Sequence, residues 1–497
     1  MQRKQLTLVI VSLLVVVLSV SLAWFTTQII GKGKDVSVTS ANLQIVFTDS
    51  DGALTETDIE PGWSATKTFT IKNDTKTEYK YNIVIKDLLN TFVTEGYLQY
   101  KITSTNDGYN MTEFKDIPKS SVATDTILAY SVVIPNGVTQ SYTIEFKYTN
   151  DESVDQSDDM GKKLSGTLFI TEGTEDPNKT LLTQLLVDKS TKLTRTDFSK
   201  VLTTDNTNTL YTSTEDSKTV YYFAGNATDN WVKFGKNASS QDLYWRIIRT
   251  NSDGGVRLLY HGTSTTATDA YIETSAFNSS YNNIAYVSYM YGSTGSIPNA
   301  RTNQTNSSTI KGVIDTWYAK NMTSYTKYLS TTAVYCNDRT YTVSDSTYFG
   351  AYTRLADNKT PSYDCSATED KFTVDTSTGN GKLTYPIALM TADEVSFAGG
   401  LAGTNAPTWY NYNSANGSST GSTQWWLLSP SYWSSSYACV FSVYGSSHPG
   451  FLVVDFVYDT HGVRPAVSLK SCIKYSTGNG SASDPYTIKE TTSTSGC

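Results

Sequence analysis

The chain has 497 residues, of which 17% are charged and 12% aromatic, with 35 Tyr, 17 Phe, 3 His, 5 Cys and a net charge of −8. A charged, aromatic-poor disordered chain is excluded, because material for a core is abundant. A basic nucleic-acid binder is disfavoured by a pI near 5.1. A histidine-based metal cluster or triad would need most of His261, His448 and His461 to converge from well-separated positions. The polarity is carried instead by Ser, Thr, Asn and Tyr, which suits an extracellular, β-rich protein.

Leu6 to Phe25 is a run of twenty residues without a charge. As a helix it is about 30 Å long, the thickness of a bilayer core. Arg3 and Lys4 before it favour a cytoplasmic N-terminus, and Lys32 and Lys34 beyond it weaken that preference. Ser21-Leu22-Ala23 supplies the small residues a signal peptidase prefers. Residues 1–35 are therefore read as a membrane anchor, or as a signal segment cleaved near Ala23. Either exports the remainder, to the cell surface or as a secreted protein.

Residues 36–174 alternate apolar and polar positions through NLQIVFT, TKTFTIKN, YKYNIVIKD, YLQYKITS, ILAYSVVIP, QSYTIEFKYT and KLSGTLFITEG. Turn signals such as Ser50-Asp51-Gly52 and Pro135-Asn136-Gly137 separate them. Short strands with almost no helix pattern predict a β-sandwich stalk. The layout, a sandwich directly after an apolar N-terminus, resembles bacterial surface and biofilm-fibre proteins of the camelysin and TasA type. Residues 175–210 read as a linker with a short helix over TLLTQLLVDKSTKL (Thr180 to Leu193).

From residue 211 to 475 the pattern is α+β with long loops. TVYYFAG and WVKFG are strand-like. Two further apolar runs flank Asn251-Ser252-Asp253-Gly254-Gly255, a hairpin signal. Thr309 to Met322 places Ile310, Ile314, Trp317 and Tyr318 on one helical face, with Ser308 or Thr309 as cap. Thr391-Ala392-Asp393-Glu394 is a capping box before Gly399-Gly400. Residues 476–497 read as a flexible tail. Cys336 with Cys365, and Cys439 with Cys472, are candidate disulfides, although four cysteines allow more than one connectivity. Cys497 is left over.

Trp425-Trp426-Leu427, Ser429-Pro430 and then Gly462-Val463-Arg464-Pro465-Ala466 form a frame. It resembles the C-type-lectin-like module of bacterial surface proteins, of diversity-generating retroelement targets and, more distantly, of formylglycine-generating enzymes. Tyr222-Phe223-Ala224-Gly225, Trp245-Arg246-Ile247-Ile248-Arg249, Cys336-Asn337-Asp338-Arg339 and Thr391 to Val395 match the same module. The resemblance implies a mainly β plus α+β fold in which 211–475 binds a ligand. Trp425, Trp426, Gly462, Arg464 and Pro465 are expected to be scaffold, with Arg464 pinning loop carbonyls or a carboxylate.

Between those anchors, aromatic residues alternate with Ser and Gly, the mix that antibody binding loops use. Tyr432, Trp433, Ser435, Tyr437, Phe441, Ser442, Tyr444, Ser446, His448, Phe451, Asp455 and Tyr458 are the expected ligand-contacting residues. Ala438, Val440, Val454 and Val457 are expected to point inward. Ser434 to Val463 contains no Lys, Glu, Gln, Met or Trp. Adenine-directed mutagenesis of AAY codons excludes those five types, so their absence is what a hypervariable origin of the region would leave.

Binding of an extracellular protein or glycan ligand is the leading reading, with no cofactor, no metal, no nucleic acid and no enzymatic activity. Calcium-dependent sugar binding is disfavoured: Asp455 and Asp459 alone fall short of the roughly six to eight oxygens calcium takes. A structural fibre or matrix component is the alternative. A formylglycine-generating-type enzyme is the second, weakened because Cys439 and Cys472 are separated by 32 residues. The one Gly-x-Ser-x-Gly match, Gly417 to Gly421, lies in a Ser-rich stretch rather than on a strand-to-helix turn.

Overall fold

A computed structural model describes residues 35–40, 43–49, 59–111, 113–174, 176–177, 179–267, 270–343, 347–406, 409, 424–445 and 448–491, with side chains from residue 59 onward except at 342–343. The Leu6–Phe25 run, the 417–421 match, Ser446 and Cys497 lie outside these residues. No helix among the described residues is long and apolar enough to cross a membrane. The chain is mostly β, 40% strand against 14% helix, as the alternating pattern requires. It divides into two compact units after Pro177.

The first unit contains β1 (Asp35–Ser40), β2 (Leu43–Asp49), β3 (Ser64–Asn73), β4 (Tyr79–Asn90), β5 (Leu98–Ser104), β6 (Lys115–Asp116), β7 (Ser120–Ile134), β8 (Thr139–Tyr148) and β9 (Leu164–Glu172). They form two sheets, ordered β1-β2-β3-β8-β5-β6 and β7-β4-β9, and every pairing is antiparallel. β8 shows the cause plainly. Gln140, Tyr142, Ile144, Phe146 and Tyr148 are buried while Ser141 and Glu145 are exposed, the two-residue period of a pleated strand. These residues share one core with Ile83 and Ile85 of β4 and Ile170 of β9. Polar groups inside it are satisfied: the Tyr81 hydroxyl donates to Gln140 Oε1 at 2.6 Å, and the Gln140 amide donates to the carbonyls of Asn106 and Val133.

The second unit begins earlier and ends later than the sequence pattern suggests. Helix α1 (Leu181–Asp188) is capped by Thr180 and buries Leu181 and Leu185. Thr191–Thr194 then runs parallel to Thr209–Glu215. The expected linker is thus part of this unit, because its leucines recur on one helical face and find a core. The buried pair Lys189–Asp229, at 2.7 Å, fixes the end of α1. At the other end, Tyr475–Thr477 and Tyr486–Ile488 join the same sheet, with Tyr486 and Ile488 in the core. The expected flexible tail is therefore a packed pair of short strands, joined by a loop, as far as Ile488.

That large sheet also holds the predicted hairpin. Asp242–Thr250 and Val256–Tyr260 pair antiparallel, and Gly254 in the turn has φ +80°. Pro465–Leu469 lies between Val256–Tyr260 and Ile387–Leu389. Helix α2 (Thr309–Asn321) is capped by Ser308 and buries Ile310, Ile314 and Tyr318, with Trp317 half-buried.

A second sheet orders Thr274–Ala276, Thr460–Gly462, Trp425–Trp433, Ala438–Val443, Phe451–Phe456 and Leu401–Ala402. Thr347–Phe349 pairs with the far end of Trp425–Trp433. All six residues of Ala438–Val443 are buried, so this strand is covered on both faces.

The charged residues of the recurring motifs lie in the interior. Glu394, in the predicted capping box of helix α3 (Ala392–Phe397), accepts from Arg249 at 2.9 Å and Arg257 at 2.8 Å. Arg249 also reaches Glu215 at 2.8 Å. Arg339 donates to Asp370 at 2.7 Å and to the carbonyls of Met290 and Glu369. Asn337 donates to the Leu428 carbonyl at 2.8 Å, tying this network to the Trp425 strand. Burial works to raise the Glu394 carboxyl, and Arg257 and Arg249 overcome it, holding it below the usual range.

Candidate ligand-binding face

Both anchors lie in the interior of the second unit. Trp425 and Trp426 are buried, and the Trp426 indole donates to the Ser275 carbonyl at 2.7 Å. Arg464 donates to the Tyr260 carbonyl at 3.0 Å, meets His261 Nδ1 at 3.4 Å and lies 4.7 Å from the Trp425 ring centre. Burial, with Arg464 and Arg246 nearby, holds the His261 imidazole well below its ordinary value. A Cβ on Gly462 would sit 3.3 Å from the Gln424 carbonyl and from the Tyr271 ring, so a side chain there crowds both. Pro465 opens the buried strand that follows.

Between the anchors the expected contact residues separate into three groups. Phe441 and Ser442 are 1% and 0% exposed and cannot touch a ligand without opening the sheet. Phe441 stacks on Tyr352, and Ser442 donates to Asp455 Oδ2 at 2.6 Å. Of the expected inward residues, Ala438, Val440 and Val457 are fully buried and Val454 half-buried. Tyr432, Trp433, Tyr444, Phe451 and Asp455 are half-buried. Tyr432 leans on Tyr348, its partner across the strand pair, with ring centres 5.2 Å apart. Tyr444, His448 and Phe451 form a small cluster, the Tyr444–His448 centres 5.3 Å apart.

Ser435, Tyr437, His448 and Tyr458 are exposed. Ser435 has φ +68° in the turn joining the Trp425 and Ala438 strands, where the Ser434 amide donates to the Tyr437 carbonyl. That tight turn pushes Tyr437 outward. Two residues outside the expected contact set join it. Tyr281 and Phe456, with Tyr437 and Tyr458, are each 39–40% exposed. Tyr281 and Tyr437 are near-parallel at 5.5 Å, Phe456 and Tyr458 near-parallel at 5.5 Å. The two pairs incline to each other by 52–60°. Tyr281 lies outside the aromatic stretch in sequence, and the Ala438 amide donating to its carbonyl at 2.9 Å brings it there. Its one sequence signal is a short polar loop of Ser, Tyr and Asn, Asn278 to Asn283.

Beside the rings lie Asp455, Asp459 and His461, whose ligand atoms fall within 4.8 Å of one another. His461 Nε2 is 3.2 Å from Asp455 Oδ2. Burial works to raise the Asp455 carboxyl, and the contacts from His461 and Ser442 hold it below the usual range. Burial and the neighbouring Asp455 push Asp459 up. Two carboxylates and one imidazole are about half the donors a calcium ion takes.

Cys336 and Cys365 are disulfide-bonded, with Cα atoms 5.8 Å apart. The expected Cys439–Cys472 bond is not formed. Cys439 is a free, buried thiol, and Cys472 is held in a separate disulfide. Cys439 lies inside the second sheet opposite Phe456, while Cys472 follows the Pro465–Leu469 strand of the first. Burial, then Asp455 and Asp459, pushes the Cys439 thiol up to about 12.

No protein-family model matches the chain, and no curated protein does. Among solved structures, AvmM, described by the words "AvmM Catalyzes Macrocyclization in Alchivemycin A Biosynthesis", aligns over 29% of this chain and 98% of its own at 10% identity, with a TM-score of 0.16. A likeness of that size carries no argument about fold or activity.

Proposed function

We propose that the protein is an exported, membrane-anchored surface protein that binds a protein or glycan ligand through its second unit. In this reading the first unit is a β-sandwich stalk and the second is a C-type-lectin-like domain. The observation that carries the reading is the exposed group of four rings, Tyr281, Tyr437, Phe456 and Tyr458, at the end of a strand buried on both faces. Exposed rings with few rotatable bonds on a rigid support are the usual anchors of binding surfaces. The absence of Lys, Glu, Gln, Met and Trp from Ser434 to Val463 supports a face that is diversified by adenine mutagenesis. A reverse transcriptase and a near-identical template repeat beside the gene are expected; a genome with neither removes the diversification reading.

The test of binding is a glycan and surface-protein array probed with the full chain. Tyr437→Ala and Tyr458→Ala should each abolish or sharply weaken the signal. Unchanged binding after both substitutions would remove this face as the ligand site.

A formylglycine-type thiol mechanism draws no support from Cys439, whose buried thiol with a value near 12 holds almost no thiolate at neutral pH. The fibre reading has one favouring observation. β7 and β9 flank β4 with no further partner on their outer sides among the described residues, leaving edges open to strand addition. A purified chain that stays monomeric at high concentration counts against it.

A further inference from the structure

The exposed rings stand beside two carboxylates, with His461 the basic group among them. From Ser434 to Val463 there is no Lys and no Arg. The charged groups of that segment are Asp455 and Asp459, with the imidazoles of His448 and His461. Asp455 is engaged by Ser442 and His461. Asp459 has no Lys or Arg nitrogen within 4.0 Å among the described residues. It is the residue next to Tyr458 and lies close enough to act on that hydroxyl electrostatically. Two carboxylates thus lie within 4.8 Å of each other and of the His461 imidazole beside a ring platform, with no Lys or Arg nitrogen within 4.0 Å of either among the described residues.

We propose that this face takes a cationic side chain, arginine above all, presented by a partner protein. The proposal rests on the reading of Tyr281, Tyr437, Phe456 and Tyr458 as the ligand face. A guanidinium is planar and weakly hydrated, so it lies flat on an aromatic ring while its N–H groups reach a carboxylate at the ring's edge. The face offers both parts: ring faces on Tyr437 and Tyr458, and the Asp459 carboxylate. An incoming cation relieves the repulsion between Asp459 and Asp455, which a neutral sugar does not. An anionic ligand would meet that repulsion directly. The chain's net charge of −8 favours encounter with a basic partner over an acidic one.

The probes are hexa-arginine, hexa-glutamine and hexa-glutamate peptides, titrated into the full chain by calorimetry at low and moderate salt. Hexa-arginine should bind, and more weakly as salt rises. Removing one ring by Tyr437→Ala or Tyr458→Ala should weaken it about two- to fivefold. Asp459→Asn, which keeps the side-chain shape, should weaken it by a similar factor and flatten the salt dependence. Asp158→Asn, an exposed carboxylate in the first unit, should leave the affinity unchanged and so controls for general attraction to an acidic protein. Hexa-glutamine and hexa-glutamate should not bind. A thermal melt of each variant matching the parent shows that the fold is kept.

Equal hexa-arginine affinity in the parent, Asp459→Asn and both tyrosine variants overturns the proposal. The same variants on the glycan and protein array separate the two levels. If the tyrosine variants lose a neutral or acidic ligand that Asp459→Asn retains, the ligand face stands and the cationic assignment falls. If the tyrosine variants retain every ligand, both fall together.

Discussion

Glu394→Gln tests whether the buried ion network holds the second unit together. Glu394 is 1% exposed, and its Oε1 accepts from Arg249 Nε at 2.9 Å and Arg257 Nη1 at 2.8 Å. Its Oε2 accepts from the Thr391 amide at 3.0 Å. Glutamine keeps the shape and removes the charge. Arg249 retains Glu215, but Arg257 is left with the Ser468 hydroxyl and the Val334 carbonyl. Removing one partner of a buried pair costs about 3–5 kcal/mol, because the other charge stays buried and uncompensated. An exposed pair would cost about 1 kcal/mol or less. Against a total of about 5–15 kcal/mol the loss is about a fifth or more. Differential scanning calorimetry should show the second unit's transition lowered by about 5–15 °C and the first unit's unchanged. The pH dependence follows the same ions. Burial opposes ionisation of Glu215 and Glu394, yet their arginines hold both carboxyls below the usual value. Their stabilisation is therefore present above the unfolded carboxyl value of about 4.3 and is lost as pH falls through the lower folded values. Glu394→Gln should flatten that acid limb. A variant melting within about 1 °C of the parent, or an equal shift in the first unit, would refute the reasoning.

Phe441→Ala should destabilise the second unit by about 3–5 kcal/mol, whereas Tyr437→Ala or Tyr458→Ala should cost about 1 kcal/mol or less and act on ligand affinity instead; urea denaturation and the binding array read the two effects separately. Cys439 should react with a maleimide at neutral pH far more slowly in the native chain than in urea, since its buried thiol is pushed up to about 12; equal labelling rates would show that the thiol is accessible. A fragment of residues 211–475 should fail to melt cooperatively, because it lacks Leu181, Leu185, Tyr486 and Ile488, each fully buried side chain contributing roughly 1.5–3 kcal/mol. A fragment running from residue 178 through residue 497 should recover the transition, as followed by near-ultraviolet circular dichroism.

The first unit was legible because its strands obey one rule: alternate residues face the same core, so β8 can be read inward and outward from its own seven letters Gln140 to Phe146. Local signals held in the second unit too, where chemistry is decided within a few residues. The Ser308 cap, the Thr391–Glu394 box and the Asp253-Gly254 turn all depend on neighbours in sequence. What sequence could not show was placement across long separations. Leu181 and Tyr486 share a core although more than half the chain lies between them. The Cys439–Cys472 pairing failed for the same reason: Cys439 lies in a strand of the second sheet, and Cys472 in the turn that follows a strand of the first. Tyr281 escaped because one backbone hydrogen bond to Ala438, across 157 positions, sets its place.

Composition alone also could not separate ring from ring within 432–458. Phe441 and Tyr437 lie four residues apart and are both aromatic, yet one is 1% exposed and the other 39%. The strand Ala438–Val443 is covered on both faces, so alternation, which requires one wet face, gives no inward or outward assignment there. Exposure is set instead by where the strand ends. Tyr437 precedes the strand in a turn, Phe456 closes the next strand, and Tyr458 follows it. Strand ends are where a side chain can change without opening a cavity, since the ladder beneath them is held by Val440, Phe441 and Val443 and by the Trp426 and Arg464 anchors. The buried Trp and Arg anchors and the face proposed to meet a ligand therefore answer to different demands: the first are fixed by buried polar partners, and the second occupies the positions the sheet leaves uncovered.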